Sequence, residues 1–289
     1  MLSVLLAILA AATFGAGAAL QHRAAARAPK HPPLHLKLLV HLVMQPLWLI
    51  GIVSNIIGYG LEAAALAEGN LVIVEPLLMT GLIFALGFGA ILLRQPLAKR
   101  DWFSAFLTIC GVTAFLEATR PSGGHAPAPF SDWIGLFAAI GGFMAVLAIY
   151  RKHMSGTPRA VVFAATAGAC FGTTDALTKA SVEVLATDQI GVLTSWFPYA
   201  LIAVALGGLL FQQNAYHTAH MVASLPATSI LQPSIGVVLG ITLFGESIRN
   251  KGIESWVAAL AVAAMVSGVI LLARSPLLST ANPARGRLP

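Results

Sequence analysis

Residues 70–93 read NLVIVEPLLMTGLIFALGFGAILL, an apolar run of 24 residues in which Glu75 is the single charged side chain. A helix needs about 20 consecutive apolar residues to cross the hydrocarbon core of a bilayer. This run is long enough to do so, and runs of similar length recur along the chain. The stretch therefore predicts an integral membrane protein built from helices.

The composition of the whole chain supports the same class of protein. Of the 289 residues, 57% are hydrophobic and 10% are charged, and the mean hydropathy is +0.83. Soluble domains carry about 25% charged residues, so an ordinary soluble enzyme is excluded. The high apolar content also excludes a disordered chain. We interpret the net charge of +6 as a record of membrane orientation and expect no nucleic-acid partner.

The apolar runs predict an all-α fold, a polytopic membrane helix bundle of about nine transmembrane helices. Segment 34–44 (LHLKLLVHLVM) is apolar but only 11 residues long, which favours an interfacial or re-entrant position. If this segment does span, the count becomes ten. The predicted spans are residues 2–20, 47–67, 70–93, 102–119, 132–150, 160–180, 190–212, 222–244 and 255–273.

The basic residues predict how these spans are oriented. Cytoplasmic loops carry an excess of Lys and Arg. Of the 17 Lys and Arg residues, 13 lie in the loops after spans 1, 3 and 5 or in the C-terminal tail. We therefore expect a plasma-membrane protein with its N-terminus outside, its C-terminus inside and a disordered cytoplasmic tail at 276–289. Ten of the 11 acidic residues fall in the outer half, where they would concentrate cations or merely form screened loop charges.

The chain contains an internal repeat. Segment 12–20 (ATFGAGAAL) resembles segment 169–177 (ACFGTTDAL) at an offset of 157 residues. An odd number of spans separates the two copies, which predicts two inverted repeats: residues 1–125, and residues 126–275 including a connecting span. Inverted repeats are typical of secondary transporters, whose site lies between the halves. The offset also relates Glu75-Pro76 to Gln232-Pro233 and Gly111-Val112 to Gly268-Val269.

Two prolines inside spans indicate where a substrate would bind. Pro76 and Pro233 each remove a helix hydrogen bond, and each follows a polar residue, Glu75 or Gln232. Interrupted helices at corresponding positions of two halves are typical of transporter binding sites. We therefore predict a substrate or ion site around these four residues. The alternative is a structural kink beside a satisfied polar side chain.

Carboxyl groups inside the predicted spans are candidates for the same site. Such groups are costly in a membrane unless they line a cavity, pair with a cation or bind a proton. Glu75 is the first candidate for a proton or cation site, followed by Asp175 and then by Glu62 near the end of its span. In a purely structural alternative, Lys179 would pair with Asp175 one turn away.

Motifs for other chemistry are absent from the sequence. It contains no ATP-binding loop, no H-E-x-x-H and no G-x-S-x-G, so we expect no catalytic residue, no cofactor and no ATP hydrolysis. The polar stretch 211–220 (FQQNAYHTAH) places His217 and His220 three residues apart. Because no third metal ligand is obvious nearby, an interfacial helix end is favoured over a metal site there, and any metal stays unknown.

Three stretches carry a resemblance to a known family: FGAGAALQHRA at 14–24, LEAAALAEGNLVIVEPLL at 61–78 and NAYHTAHMVASLPATSILQPSIGVVLGITLFGES at 214–247. In them the chain resembles the drug/metabolite transporter superfamily, which includes EamA-like proteins. The resemblance implies transport of small solutes without ATP, usually by ten spans in two inverted repeats. A nine-span chain with an external N-terminus instead resembles the NIPA-like magnesium branch. The family has no universal substrate motif to carry onto residues here.

The main functional prediction is a secondary transporter of small solutes that works by alternating access and is linked to a proton or a cation. One alternative is NIPA-like Mg²⁺ uptake. Alternatives of other classes are a lipid-handling flippase component or accessory membrane subunit, and a membrane-embedded enzyme. The expected partners are a small-molecule or cation substrate and the lipid bilayer, and a homodimer stays open.

Overall fold

The computed structural model of the protein describes residues 1–26, 43–93, 96–124, 129–150, 156–218, 221–248 and 252–274. Within these ranges the named elements are all helices, and Ser122 and Ser247 form an isolated antiparallel bridge. In chain order the helices are α1 (Leu2–Ala26), α2 (Pro46–Ala67), α3 (Leu71–Leu78), α4 (Gly81–Leu93), α5 (Lys99–Thr119), α6 (Phe130–Tyr150), α7 (Thr157–Thr187), α8 (Gly191–Thr194), α9 (Phe197–Thr218), α10 (Met221–Leu243) and α11 (Ile253–Ala273).

The predicted all-α class is confirmed. The predicted count of nine spans is not confirmed and stays a prediction. Seven helical segments among the described residues are long and apolar enough to cross a membrane. The predicted spans 132–150 and 190–212 fall on α6 and α9, which are not among those seven. Segment 34–44 lies outside the described residues except for its last two, and the tail 276–289 lies wholly outside them.

The outer surface of the bundle is apolar. On α5, Trp102, Phe103 and Phe106 are 66%, 60% and 65% exposed, and on α11 Trp256 and Leu260 are 74% and 70% exposed. Large apolar side chains in such numbers are stable on a surface that faces lipid rather than water. With the seven apolar segments, this surface makes the chain a multi-pass membrane protein.

The third predicted span is broken into two helices. α3 ends at Leu78, two residues after Pro76, and α4 begins at Gly81. At the break, the Thr80 hydroxyl donates a hydrogen bond to the Leu77 carbonyl at 2.6 Å. The matching helix α10 continues through Pro233. The expectation of interrupted helices in both halves is therefore wrong for the second half, because a single proline removes one hydrogen bond without forcing a helix to end.

The core is formed by neighbouring helix pairs. α1 packs against α2, α7 packs against α9, and α5 packs against α11. α3 and α4 contact α1, whereas α10 contacts α7. α3 also contacts α10, and α2 contacts α7, so helices from the first part of the chain pack against helices from the second part.

α5 and α11 approach closely at two glycines. A Cβ atom at Gly111 would lie 2.8 Å from the Met265 nitrogen, and one at Gly268 would lie 2.9 Å from the Thr108 nitrogen. Such distances are too short for any side chain, so both positions require glycine. Residue numbers along this contact rise on α5 as they fall on α11, and the two helices are therefore antiparallel.

Candidate functional site

Three carboxyl groups from three helices meet in the interior. Glu62 of α2, Glu75 of α3 and Asp175 of α7 are each 0% exposed. One carboxyl oxygen of each lies within 4.8 Å of the other two. Two unit charges at that separation repel by about 3–4 kcal/mol at an effective dielectric constant of about 20. The three acids of this acidic triad therefore cannot all stay ionised unless a cation binds to them, and without a cation protons must neutralise part of the charge.

The surrounding helices fix each acid in place. Residues 166–180 of α7 are all buried, so Asp175 has no route to solvent along its own helix. Gly236 of α10 makes room for Glu75, because a Cβ atom at that position would collide with the Glu75 carboxyl. Glu62 comes from α2, which packs against α7. The structure thus brings together all three acids that the sequence indicated.

The triad has one amide donor. Gln232 of α10 donates a hydrogen bond from Nε2 to Asp175 Oδ2 at 2.9 Å. Both oxygens of Glu62, both oxygens of Glu75 and Oδ1 of Asp175 have no donor among the described residues. Buried polar atoms without partners are rare in native proteins and indicate a bound ion, water or a functional role.

A cavity of about 130 Å³ lies beside the triad. Glu75, Gln232 and Pro233 line it, whereas Glu62 and Asp175 do not. Pro76 is buried next to Glu75 and does not line the cavity. Helices α1, α2, α3, α4, α7, α9 and α10 all contribute to the wall, which also includes Phe14, Gln21, Asn55, Tyr59, Phe171, Gln212 and Thr228.

An amide network joins three helices next to Gln21 in the cavity wall. Gln213 of α9 donates from Nε2 to Gln21 Oε1 of α1 at 2.8 Å, and Trp48 of α2 donates from Nε1 to Gln213 Oε1 at 3.5 Å. Gln21 is 1% exposed, and its own Nε2 has no acceptor among the described residues. The polar helix ends seen in the sequence thus meet each other. The side chains of His217 and His220 lie outside the described residues.

Lys179 does not pair with Asp175. Its ammonium group binds Glu246, and both residues are 2% exposed. Glu246 also accepts hydrogen bonds from the backbone N–H groups of Leu71 and Val72 at 2.9 and 2.8 Å, at the start of α3. A helix N-terminus stabilises a carboxylate, which keeps Glu246 ionised at the start of α3. Lys179 therefore binds Glu246 and not Asp175. The structural alternative for Asp175 is therefore wrong.

Sequence reasoning missed Asn55, Tyr59 and Glu246. Asn55, Tyr59 and Glu62 are spaced by four and three residues, which places them on one face of α2. That spacing could have extended the predicted site along the helix. Glu246 follows the end of α10 and gave no signal, because its role depends on a helix start 175 residues away in the chain.

Part of the chain matches a known family of transporters. Residues 29–116 match the EamA-like transporter family. This match confirms the resemblance drawn from the sequence, and the NIPA-like branch stays a prediction. The chain is also similar, at 29% identity over 277 residues, to an uncharacterized protein of Corynebacterium glutamicum, covering 95% of this chain and 96% of that one. No solved structure matches this chain.

Proposed function

We propose that the protein is a secondary transporter of small solutes that works by alternating access, with a proton or a cation as the coupled ion. The solute would bind in the central cavity, in contact with Glu75, Gln232 and Pro233. The acidic triad carries this proposal, because three buried carboxyls beside a cavity have no ion-pair partner among the described residues. Intramembrane carboxyls of this kind are typical of ion and substrate pathways.

The contact between α5 and α11 supports two inverted repeats. Gly111 and Gly268 are 157 residues apart, and their partners Thr108 and Met265 are also 157 residues apart. Adding 157 to the numbers of Gly111 and Thr108 gives Gly268 and Met265. The two close approaches are therefore equivalent under the repeat. Because the two helices are antiparallel, the corresponding segments run in opposite directions. This supports repeats at 1–125 and 126–275 and a site between them.

The two sides of the triad differ in the groups that connect the helices. Gln21 and Gln212 lie at the helix ends that the basic residues assign to the cytoplasm. On the other side of the triad, the Lys179–Glu246 pair ties α7 and the segment after α10 to the start of α3. Alternating access would require this pair to separate when the outer side opens, and the Gln21–Gln213 hydrogen bond to break when the cytoplasmic side opens.

Mg²⁺ uptake is a second candidate, favoured by the spacing of the triad. Three carboxyl oxygens within 4.8 Å of one another can ligate one divalent cation. Mg²⁺ usually keeps several waters and takes one or two carboxylates from the protein. The cavity beside Glu75 has room for such waters.

Reconstitution into liposomes tests both candidates. The purified full chain would be studied under imposed gradients while internal pH and internal Mg²⁺ are followed with fluorescent indicators. Wild type would be compared with Glu75→Gln and with Glu68→Gln, which changes an exposed glutamate outside the triad as a matched control. Mg²⁺ entry that Glu75→Gln loses and Glu68→Gln keeps would establish cation transport.

The remaining outcomes of this experiment distinguish proton-linked exchange, a misplaced site and a lipid-handling or accessory role. Proton flux that appears only with an added organic solute would establish proton-linked exchange. Equal activity of Glu75→Gln and wild type would contradict the placement of the site at Glu75. Absence of any flux would contradict transport by this chain alone and favour a lipid-handling or accessory role.

A further inference from the structure

We infer that, in the protein without bound solute, Glu62 and Glu75 are both protonated and both donate hydrogen bonds to an ionised Asp175. The triad would then store two protons that a cationic solute exchanges. This inference deepens the proposed function and rests on it for the exchange step. The proton content of the triad can be tested without any transport.

The first step is the charge balance around the triad. Three ionised carboxyls at this spacing would place three negative charges in a region that no cation of the described residues neutralises. The cations on the helices packed around it have other partners: Lys179 is bound to Glu246, Arg159 lies over the Phe163 ring, and Arg23 donates to the Leu92 carbonyl. Glu183 adds a further acid on α7. Protons are the smallest addition that removes this repulsion.

The second step assigns the remaining negative charge to Asp175. Asp175 receives the Gln232 amide hydrogen bond, and a donor stabilises the ionised form of a carboxyl. The four oxygens of Glu62 and Glu75 receive no donor. An oxygen of Asp175 lies within 4.8 Å of an oxygen of each glutamate, so a protonated glutamate is close enough to turn its O–H toward Asp175. One carboxylate would thus accept from one amide and two carboxylic acids.

The third step is the order of exchange. Of the three acids only Glu75 lines the cavity, so a cation that enters meets its carboxyl first. Gln21, on the wall of the same cavity, adds a buried Nε2 without an acceptor. This amide suits a solute that carries an oxygen acceptor as well as a positive charge. A monovalent cation would displace the Glu75 proton, and a divalent cation would displace the Glu62 proton too, so that exchange is electroneutral.

Infrared spectroscopy of the detergent-solubilised full chain at neutral pH tests the proton content. The C=O stretch of a protonated carboxyl is separate from the bands of a carboxylate. We expect Glu62→Gln and Glu75→Gln each to remove one protonated-carboxyl band, and Glu68→Gln to remove none. Asp175→Asn should keep both bands and shift them, because the glutamates lose their ionised acceptor.

A second measurement on the wild type guards against variants that do not fold. Dicyclohexylcarbodiimide reacts with protonated carboxyls in apolar sites, and mass spectrometry locates the adduct. An adduct on Glu75 or Glu62 supports the inference. An adduct on Asp175 alone, or variant spectra that lose no protonated-carboxyl band, overturns it.

The two proposals fail in different ways. Missing carboxyl bands combined with cation flux in liposomes would overturn the proton store and leave transport standing. If the protonated-carboxyl bands are present and the liposomes show no flux, transport is overturned and the proton store stands.

Discussion

The ammonium group of Lys179 binds the carboxylate of Glu246, 67 residues away in the chain, in the interior of a membrane protein. The same carboxylate caps the first two N–H groups of α3, the short helix that carries Glu75. Lys179 also lies 4.9 Å from the centre of the Phe244 ring. One ion pair thus holds α7, α3 and the segment after α10 together, one helical turn from the acidic triad.

Loss of either partner of this pair should destabilise the protein unequally. Glu246→Gln leaves a buried lysine without a counter-ion, and removal of one partner of a buried pair costs about 3–5 kcal/mol. Lys179→Met should cost less, because two backbone N–H groups still bind Glu246. Thermal unfolding in detergent would show the larger drop in melting temperature for Glu246→Gln.

An exposed ion pair provides the control for this comparison. Glu117 and Arg120 pair at the surface, and their side chains are 73% and 61% exposed. Glu117→Gln should change the melting temperature little, because surface pairs contribute about 0–1 kcal/mol. A larger loss from Lys179→Met than from Glu246→Gln would contradict the role assigned to the α3 N-terminus.

A disulfide at the Ser122–Ser247 bridge should lock the same end of the bundle. Each of these residues donates its backbone N–H to the carbonyl of the other, at 3.0 and 2.9 Å. Residues paired in this way have Cα atoms about 5.5 Å apart, within the range of a disulfide. In a background without Cys110 and Cys170, oxidised Ser122→Cys/Ser247→Cys should stop ion flux in liposomes, and reduction should restore it.

Single-cysteine variants complete the test of the bridge. Ser122→Cys alone should stay active under oxidising conditions. Full activity of the oxidised double variant would mean that this end does not open during transport, and alternating access at this position would be rejected.

Gly236→Ala should impair transport because it displaces Glu75. The new methyl group would overlap the Glu75 carboxyl. Overpacking of about 1–3 kcal/mol that falls on a transport step corresponds to a loss of rate of about 5- to 160-fold. The matched control is Gly207→Ala on α9, where an added methyl group meets no atom within 4 Å. Equal flux rates for both variants would show that the position of Glu75 does not limit transport.

The helical architecture and the members of the triad could be predicted from the sequence. Both rest on local properties: the length of an apolar run, and the free-energy cost of placing a carboxyl group inside it. A carboxyl such as Asp175 inside an apolar run of α7 is expensive wherever the helix packs. The convergence of Glu62, Glu75 and Asp175 could not be predicted, since it depends on how α2, α3 and α7 pack. The repeat offset related Glu75 to Gln232 but gave no sign that Gln232 would donate to Asp175.

The partner of Lys179 shows the limit of reasoning along one helix. Spacing on α7 offered Asp175 one turn away, yet the lysine binds Glu246. The deciding factor is the set of free N–H groups at the start of α3, which attracts a carboxylate from a distant segment. The break between α3 and α4 is absent from α10 although both segments contain a proline at corresponding positions, so the position of a proline alone does not predict a break.

The orientation of the chain can be tested at the two ends of α5. The distribution of basic residues places Lys99 on the cytoplasmic side, and Ser122 then lies outside. Both residues are exposed. In a background without Cys110 and Cys170, a membrane-impermeant maleimide should label Ser122→Cys in intact cells and Lys99→Cys only after permeabilisation. The reverse pattern would place the N-terminus inside, and labelling of both in intact cells would mean that α5 does not cross the membrane.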